Sequence, residues 1–328
     1  MRDTLRRDEK AMDSWADRLR GAAGPAIGIA LVVLLLAVTS PAGFFTTGNL
    51  RTLLAQNAGL IIAVVGMTFV IVAGGIDLSV GSVAALASVT TGLALRGGMS
   101  PLLAALVGVA TGLLVGLVNG ELIARWRLNP FIATLATMGI ARGFAKWAAS
   151  NQTVRASPGW LESLTLTNPR PSWLVVAPSV WVACFVAVLA AIVLRKTIFG
   201  VHTTAIGSNE ATARLCGVRV ERTKRIVYAI SGLCAGIAGT LLYARLTVGD
   251  PTGAIGMELQ VVAAVVIGGA SLSGGEGTIL GTVLGALLLS VMANGCSLLG
   301  ISNAAQEMLT GAIIVAAVAI DAWRHRRG

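Results

Sequence analysis

The chain has 328 residues, of which 55% are hydrophobic, 12% charged and 5% aromatic, and it carries a net charge of +10. A mean hydropathy of +0.81 with 40 glycines excludes an ordinary soluble domain, and the long uniform apolar runs lack the period-two alternation of a membrane β-barrel. The chain therefore reads as an all-α, polytopic membrane helix bundle, in which abundant small residues let helix backbones approach where lipid supplies no hydrophobic drive.

Residues 1–24 mix six basic and five acidic side chains with Trp15 and Leu19, and read as a cytosolic arm. The run Pro25 to Thr39 has the look of a signal-peptide core, but its acidic leader and the many later spans make it a first, uncleaved helix. Further apolar spans run Asn57 to Ala73, Ser79 to Leu95, Pro101 to Ile123, Pro130 to Ala148, Ser172 to Leu194, Ile226 to Arg245, Met257 to Gly269, Thr278 to Leu298 and Ala304 to Ala322, about ten in all. The Met257 span is short enough for a broken or re-entrant helix. A membrane domain over 25–322 thus carries a cytosolic loop at 199–225 and ends in a basic tail at 323–328.

Positive charge orients the spans. With both termini inside, the cytosolic face receives the arm, Arg125, Arg127, the seven Lys/Arg from Arg195 to Arg225, and the tail; the outer face receives mainly Arg51, Arg96, Arg155, Arg170 and Arg245. That is the pattern of a multi-pass inner-membrane protein. The basic balance is a topology signal, and no basic patch interleaved with aromatics points to nucleic acid. The outer loop from Ser150 to Pro171 reads as an ordered cap and a landing surface for a soluble partner.

The glycine-rich stretch Gly74-Gly-Ile-Asp-Leu-Ser-Val-Gly81 interrupts two spans and brings Asp77 into the membrane domain. Two readings stand for Asp77: a polar contact lining a pathway, and a cap on the N–H groups of the next helix near Ser79 and Val80. Gly268-Gly269-x-Ser271-Leu272-Ser273-x-Gly275 repeats the pattern with Ser271 in place of the aspartate. Asn129 before Pro130 and Thr134 within the fifth span complete the candidate pathway set of Asp77, Ser79, Asn129, Thr134 and Ser271. Cap and turn chemistry is the structural reading of Asn129, and back-bonding to the helix that of Thr134.

The longest polar interruption is Ile206 to Arg225. Ser208 as N-cap, Glu210 in the first turn, Arg214 near the end and Gly217 at C′ predict a short water-exposed helix over Asn209–Cys216, with Ala211 and Leu215 as a ridge offered to a partner's groove. Glu276, among Ser273-Gly-Gly-Glu-Gly277, is a second candidate contact on the same side.

No Gly-x-x-x-x-Gly-Lys-Ser/Thr run occurs, nor a nucleophile elbow or a zinc-ligand helix, so the chain is expected to be a transport subunit that binds no cofactor, any ATP being used by a partner. Cys184, Cys216, Cys234 and Cys296 are scattered, and His202 and His325 are isolated, so no metal site is expected.

The run Ala205-Ile-Gly-Ser-Asn-Glu-Ala-Thr-Ala-Arg-Leu-Cys-Gly-Val218 resembles the cytoplasmic coupling segment of ABC permeases of the ribose, arabinose, xylose and rhamnose importer family. The stretches Gly66 to Ser82, Phe131 to Met138 with Arg142-Gly143, and Val266 to Thr278 resemble the same family, so the likeness covers most of the chain. It implies a permease subunit for a monosaccharide, an ABC ATPase gripping Gly207, Asn209, Glu210, Ala211, Arg214, Gly217 and Glu276, a periplasmic or lipid-anchored sugar-binding protein, and a second permease copy. An ion-coupled secondary transporter with Asp77 as its ion site, an ABC permease for a non-sugar solute, and a membrane scaffold or receptor are the rival readings.

Overall fold

The computed structural model describes residues 26–39, 43–169 and 171–325. The N-terminal arm, Arg170 and residues 326–328 lie outside them. The helices are α1 (Ala26–Thr39), α2 (Thr47–Val72), α3 (Val80–Arg96), α4 (Pro101–Ala124), α5 (Pro130–Ala148), α6 (Pro178–Lys196), α7 (Ile198–Ser208), α8 (Glu210–Leu215), α9 (Val220–Leu246), α10 (Met257–Ile267), α11 (Ile279–Leu298) and α12 (Asn303–His325). Two short strands, β1 (Val154–Arg155) and β2 (Val248–Gly249), pair antiparallel with Val154 opposite Gly249.

Five helices among the described residues, α2, α4, α6, α9 and α11, are long and apolar enough to cross a bilayer, while α1, α3 and α10 are apolar but shorter. The outward faces of α4, α5 and α6 need lipid or a partner: Leu106, Leu114, Ile140, Trp147, Phe185 and Leu189 are all exposed, an apolar area that water would penalise. The fold is a helical membrane bundle.

Several boundaries differ from the sequence expectation. Helix α2 begins ten residues before Asn57, because Thr46 caps it by accepting from the Asn49 amide at 3.2 Å. Helix α9 begins at Val220, so the basic turn Arg222 to Arg225 is part of the span-forming helix. Helix α12 continues to His325, into the stretch expected to be tail. Residues 199–208, expected to be loop, are mostly helix: Thr197 caps α7 by accepting from Gly200 N at 3.3 Å, and Gly200 is in backbone contact with Leu194.

The core is α2 wrapped by its neighbours, with Ile62, Val64, Val65, Met67, Phe69, Val70 and Ile71 almost fully buried. Beside it α4 and α9 run antiparallel in backbone contact. Gly108, Gly112, Gly116 and Gly120 recur at every fourth residue, one face of a helix; Gly112 and Gly116 meet Gly232 and Gly236, Gly108 meets Thr240, and Gly120 meets the backbone of Arg225. A Cβ at Gly112 would overlap the Gly232 carbonyl, and one at Gly116 the Tyr228 carbonyl, so only hydrogen fits. This is the small-residue packing expected from composition, now placed on particular turns. A buried hydroxyl pair, Thr68 Oγ1 donating to Thr282 Oγ1 at 2.9 Å, ties α2 to α11.

Candidate functional site

Helix α2 ends in a left-handed glycine. Gly74 has φ +79°, its N–H donates to Ile71 O and that of Gly75 to Val70 O, both at 2.9 Å, which closes the helix as a Schellman motif. The chain then turns through Asp77, which is 2% exposed. Its Oδ1 accepts from Ser79 N at 3.0 Å and Ser79 Oγ at 2.6 Å, and its Oδ2 accepts from Ser231 Oγ on α9 at 2.8 Å. Ser79 Oγ in turn accepts from Asn119 Nδ2 on α4 at 3.0 Å. From α5, Thr134 Oγ1 donates to Ile76 O at 3.2 Å and to its own helix at Pro130 O, 2.8 Å. The break is thus held from three other helices by neutral groups.

Two polar atoms at this centre are left over. Asn119 Oδ1 and Tyr228 Oη are buried without a hydrogen-bond partner among the described residues, and Tyr228 Oη lies so close to Gly75 that any side chain there would meet it. Asp77 therefore holds the turn that precedes α3, through Ser79 alone, and an interhelical network; among the described residues no side chain caps the first N–H groups of α3. Ser79 is the N-cap residue itself. Ser231, Asn119 and Tyr228 were not legible as partners, because they lie far from Asp77 in the chain; the signal was only that Ser231 stands in the small-residue run Ser231-Gly-Leu-Cys-Ala-Gly236.

Asn129 is elsewhere. It is exposed and accepts from Phe131 N at 2.9 Å as the N-cap of α5, so the cap reading describes it and it joins no site with Asp77.

The second break repeats the helix closure of the first but not its helix start: α11 begins only at Ile279 and is capped by Thr278, so Ser271 does not cap it. Helix α10 closes on Gly269, φ +84°, through Gly269 N to Val266 O at 2.9 Å and Ala270 N to Val265 O at 3.1 Å. Ser271, 2% exposed, accepts from Ser273 N at 3.2 Å as Asp77 accepts from Ser79. The geometric register is Gly74 with Gly269 but Asp77 with Ser271, so the first break carries one extra residue and the diglycines do not superpose in sequence order.

The two breaks meet α7 at one point. Gly275 N donates to Val72 O at 2.9 Å, a Cβ on Gly207 would overlap both Val72 O and Gly275 N, and one on Gly274 would press on Gly207 O and Gly74 Cα. Gly207, expected to face a partner, instead points into this glycine junction. Glu276 is exposed beside it, and its carbonyl accepts from Ser271 N at 3.2 Å.

Beyond Gly207 the chain reverses into α8, which spans Glu210–Leu215 where Asn209–Cys216 was expected. The cap is Asn209, in extended backbone, accepting from Thr212 N at 2.9 Å; Ser208 still belongs to α7, where its hydroxyl donates to Thr204 O at 3.1 Å. Gly217, φ +82°, closes the far end through Gly217 N to Arg214 O at 3.0 Å and Val218 N to Ala213 O at 3.1 Å. Ala213 anchors the helix by packing on Ile206 and Val220. Glu210 accepts from Lys224 at 2.7 Å and pairs with Arg214 at 3.4 Å, and Arg214 also binds Glu221. Partial burial alone would raise the Glu210 carboxyl, but the bonds and charge of Lys224 and then Arg214 outweigh it and hold it below its ordinary value. Ala211 is exposed and Leu215 is 89% exposed, so α8 presents an apolar ridge on a frame of ion pairs.

The family described as branched-chain amino acid transport system / permease component matches residues 49–318. The chain belongs to this family. The permease is 40% identical over 298 residues to the ribose import permease protein of Escherichia coli (strain K12), covering 89% of this chain and 92% of the relative. It is 37% identical over 298 residues to the ribose import permease protein of Bacillus subtilis (strain 168), covering 91% and 92%. To the L-arabinose ABC transporter permease protein of Azospirillum brasilense it is 36% identical over 303 residues, covering 92% and 88%. As a permease component the chain is a transport subunit, and the matched residues take in α2 through most of α12, both breaks and α8.

Proposed function

We propose that this permease is the membrane subunit of an ATP-driven ABC importer for a monosaccharide of the ribose or arabinose kind. The observation that carries the reading is likeness over almost the whole chain to relatives named for ribose and L-arabinose. The family description speaks of branched-chain amino acids, which makes an amino-acid importer the alternative. The named sugar permeases favour sugar because their likeness covers about nine-tenths of each chain, at 36–40% identity.

On this reading α8 lies in the cytosol, both termini are inside, and the helices make about ten spans with α10 as a re-entrant half-helix. ABC ATPase subunits, a sugar-binding protein and a second permease copy complete the importer. The ATPase seats the Ala211 and Leu215 ridge, and its closure moves α8 and α7 as a lever. Gly207 passes that motion directly to Val72 and Gly275, the ends of both broken segments, because backbone in contact with backbone has no side chain to yield. Rigid helices then rock about the solute route. Co-reconstitution in proteoliposomes with the ATPase and binding protein tests the reading: labelled ribose or L-arabinose is expected to accumulate on ATP addition, and leucine uptake without sugar uptake would replace it with the amino-acid alternative.

A further inference from the structure

We infer that the cleft between α2, α9 and α10 is a binding site for a single uncharged, polyhydroxylated solute, an inference that rests on the sugar-permease reading and gives it a location. A cavity of about 200 Å³ opens there, toward the end of α9 far from α8. It is smaller than the roughly 300–1,000 Å³ of pockets for drug-sized ligands, and several times the about 30 Å³ that one water occupies in the liquid. One sugar ring is the size it suits.

Its polar lining is Gln56, Asn57, Thr165, Arg245 and Gln260, set above apolar walls that include Leu60 and Leu241. The side chains of Gln56 and Gln260 stand at the exposed mouth of the cleft, where each amide can exchange water for a solute hydroxyl as donor or acceptor. Asn57 Nδ2 is committed to Leu53 O at 2.8 Å, which leaves its Oδ1 to accept. Thr165 donates to Glu162 O at 3.2 Å, leaving lone pairs toward the cleft. Hydroxyl groups, which both donate and accept, match such a mixture.

Ammonium-bearing solutes match it poorly. No carboxylate lines the cavity to hold an ammonium group; its one cation, Arg245, donates through Nη1 to Gln56 O at 2.9 Å and keeps donors that a hydroxyl or a carboxylate can use, so only the ammonium end is discriminated against. An amino-acid zwitterion would leave its ammonium without a counter-charge, at a cost that rises with burial. None of Asp77, Ser79, Asn129, Thr134 or Ser271 lines the cleft.

Thiol labelling of the reconstituted importer tests the assignment. In the Gln260→Cys variant a membrane-impermeant maleimide, corrected for the parent's labelling, should react about tenfold more slowly when ribose or L-arabinose is present at about ten times its dissociation constant. Leucine should give no protection. The Gln56→Leu/Gln260→Leu double variant should still insert and co-purify with the ATPase but import sugar about tenfold more slowly, having lost two hydrogen-bonding amides. Sugar import with unprotected labelling would overturn the cleft and leave the sugar reading standing. Leucine import with leucine protection would keep the cleft and overturn its solute class, and absence of sugar uptake by the parent complex would overturn the sugar reading itself.

Discussion

The break at Gly74 and the hairpin end at Gly217 are made of the same pieces in opposite surroundings. Each has a left-handed glycine, at φ +79° and +82°, and a two-bond helix closure; an Asp side chain, Asp77, follows the first by three residues, whereas the Asn of the second, Asn209, caps the opposite end of α8. The first is buried, with its carboxylate bound by Ser79 and Ser231 and its glycine packed near Gly207; the second faces open space and is framed by ion pairs. Local sequence thus sets the shape of a chain reversal, and its surroundings set what an error there costs. A buried bond left unmade costs about 1–3 kcal/mol, whereas an exposed ion pair is worth about 0–1 kcal/mol.

The largest effect is expected where the two regions touch. Gly207→Ala forces a methyl onto the Val72 carbonyl and the Gly275 amide, and overpacking of this kind costs about 1–3 kcal/mol or more. The variant should lose import and lower the thermal denaturation midpoint of the purified complex; parental values for both would mean that α7 does not bear on the breaks.

Asp77 comes next. Asp77→Leu strands Ser79 and Ser231 without their acceptor and should destabilise by about 2–3 kcal/mol, while Asp77→Asn keeps an acceptor and should cost about 1 kcal/mol. Denaturant or thermal series on the two variants separate them. Loss of uptake by a well-folded Asn variant would point instead to a charge-dependent role and to ion coupling.

At the exposed end, Gly217→Val puts a β-branched residue at positive φ, for about 1–2 kcal/mol, and nothing lies within 4 Å of the added Cβ. Fraying of α8 should appear as faster hydrogen exchange at Cys216 to Val218, with α2 and α9 protected as before.

The smallest effect is electrostatic. Glu210 is held below its ordinary 4.5, so its contribution is fully present above pH 4.5 and disappears as pH falls through the depressed value. Solvent screening keeps it under about 1 kcal/mol. A stability titration should show this loss in the parent and a reduced one in Lys224→Gln.

The contrast also explains what was legible in the sequence. Helix α8 could be placed within a residue at each end because its cap, its charges and Gly217 are adjacent in the chain; only the cap shifted, from Ser208 to Asn209. Gly200, Thr203, Thr204 and Gly207 are weak helix formers, so the sequence predicts loop where α7 stands; the helix is held by Thr197 and by packing on α6 and α9. The break at Gly74 was visible from its diglycine, but the groups that grip Asp77 come from α4 and α9 and leave no trace beside it. The inward place of Gly207 is hidden for the same reason: a sequence shows that a glycine is present and not which backbone it admits.

If α8 converts ATPase motion into solute movement, as proposed, the ratio of ribose or L-arabinose imported to ATP hydrolysed measures that conversion directly. In proteoliposomes holding the whole importer, Gly217→Val should continue to hydrolyse ATP while the imported sugar per ATP falls severalfold below the parent. An unchanged ratio, with α8 shown to be frayed, would contradict the claim that this hairpin drives the breaks.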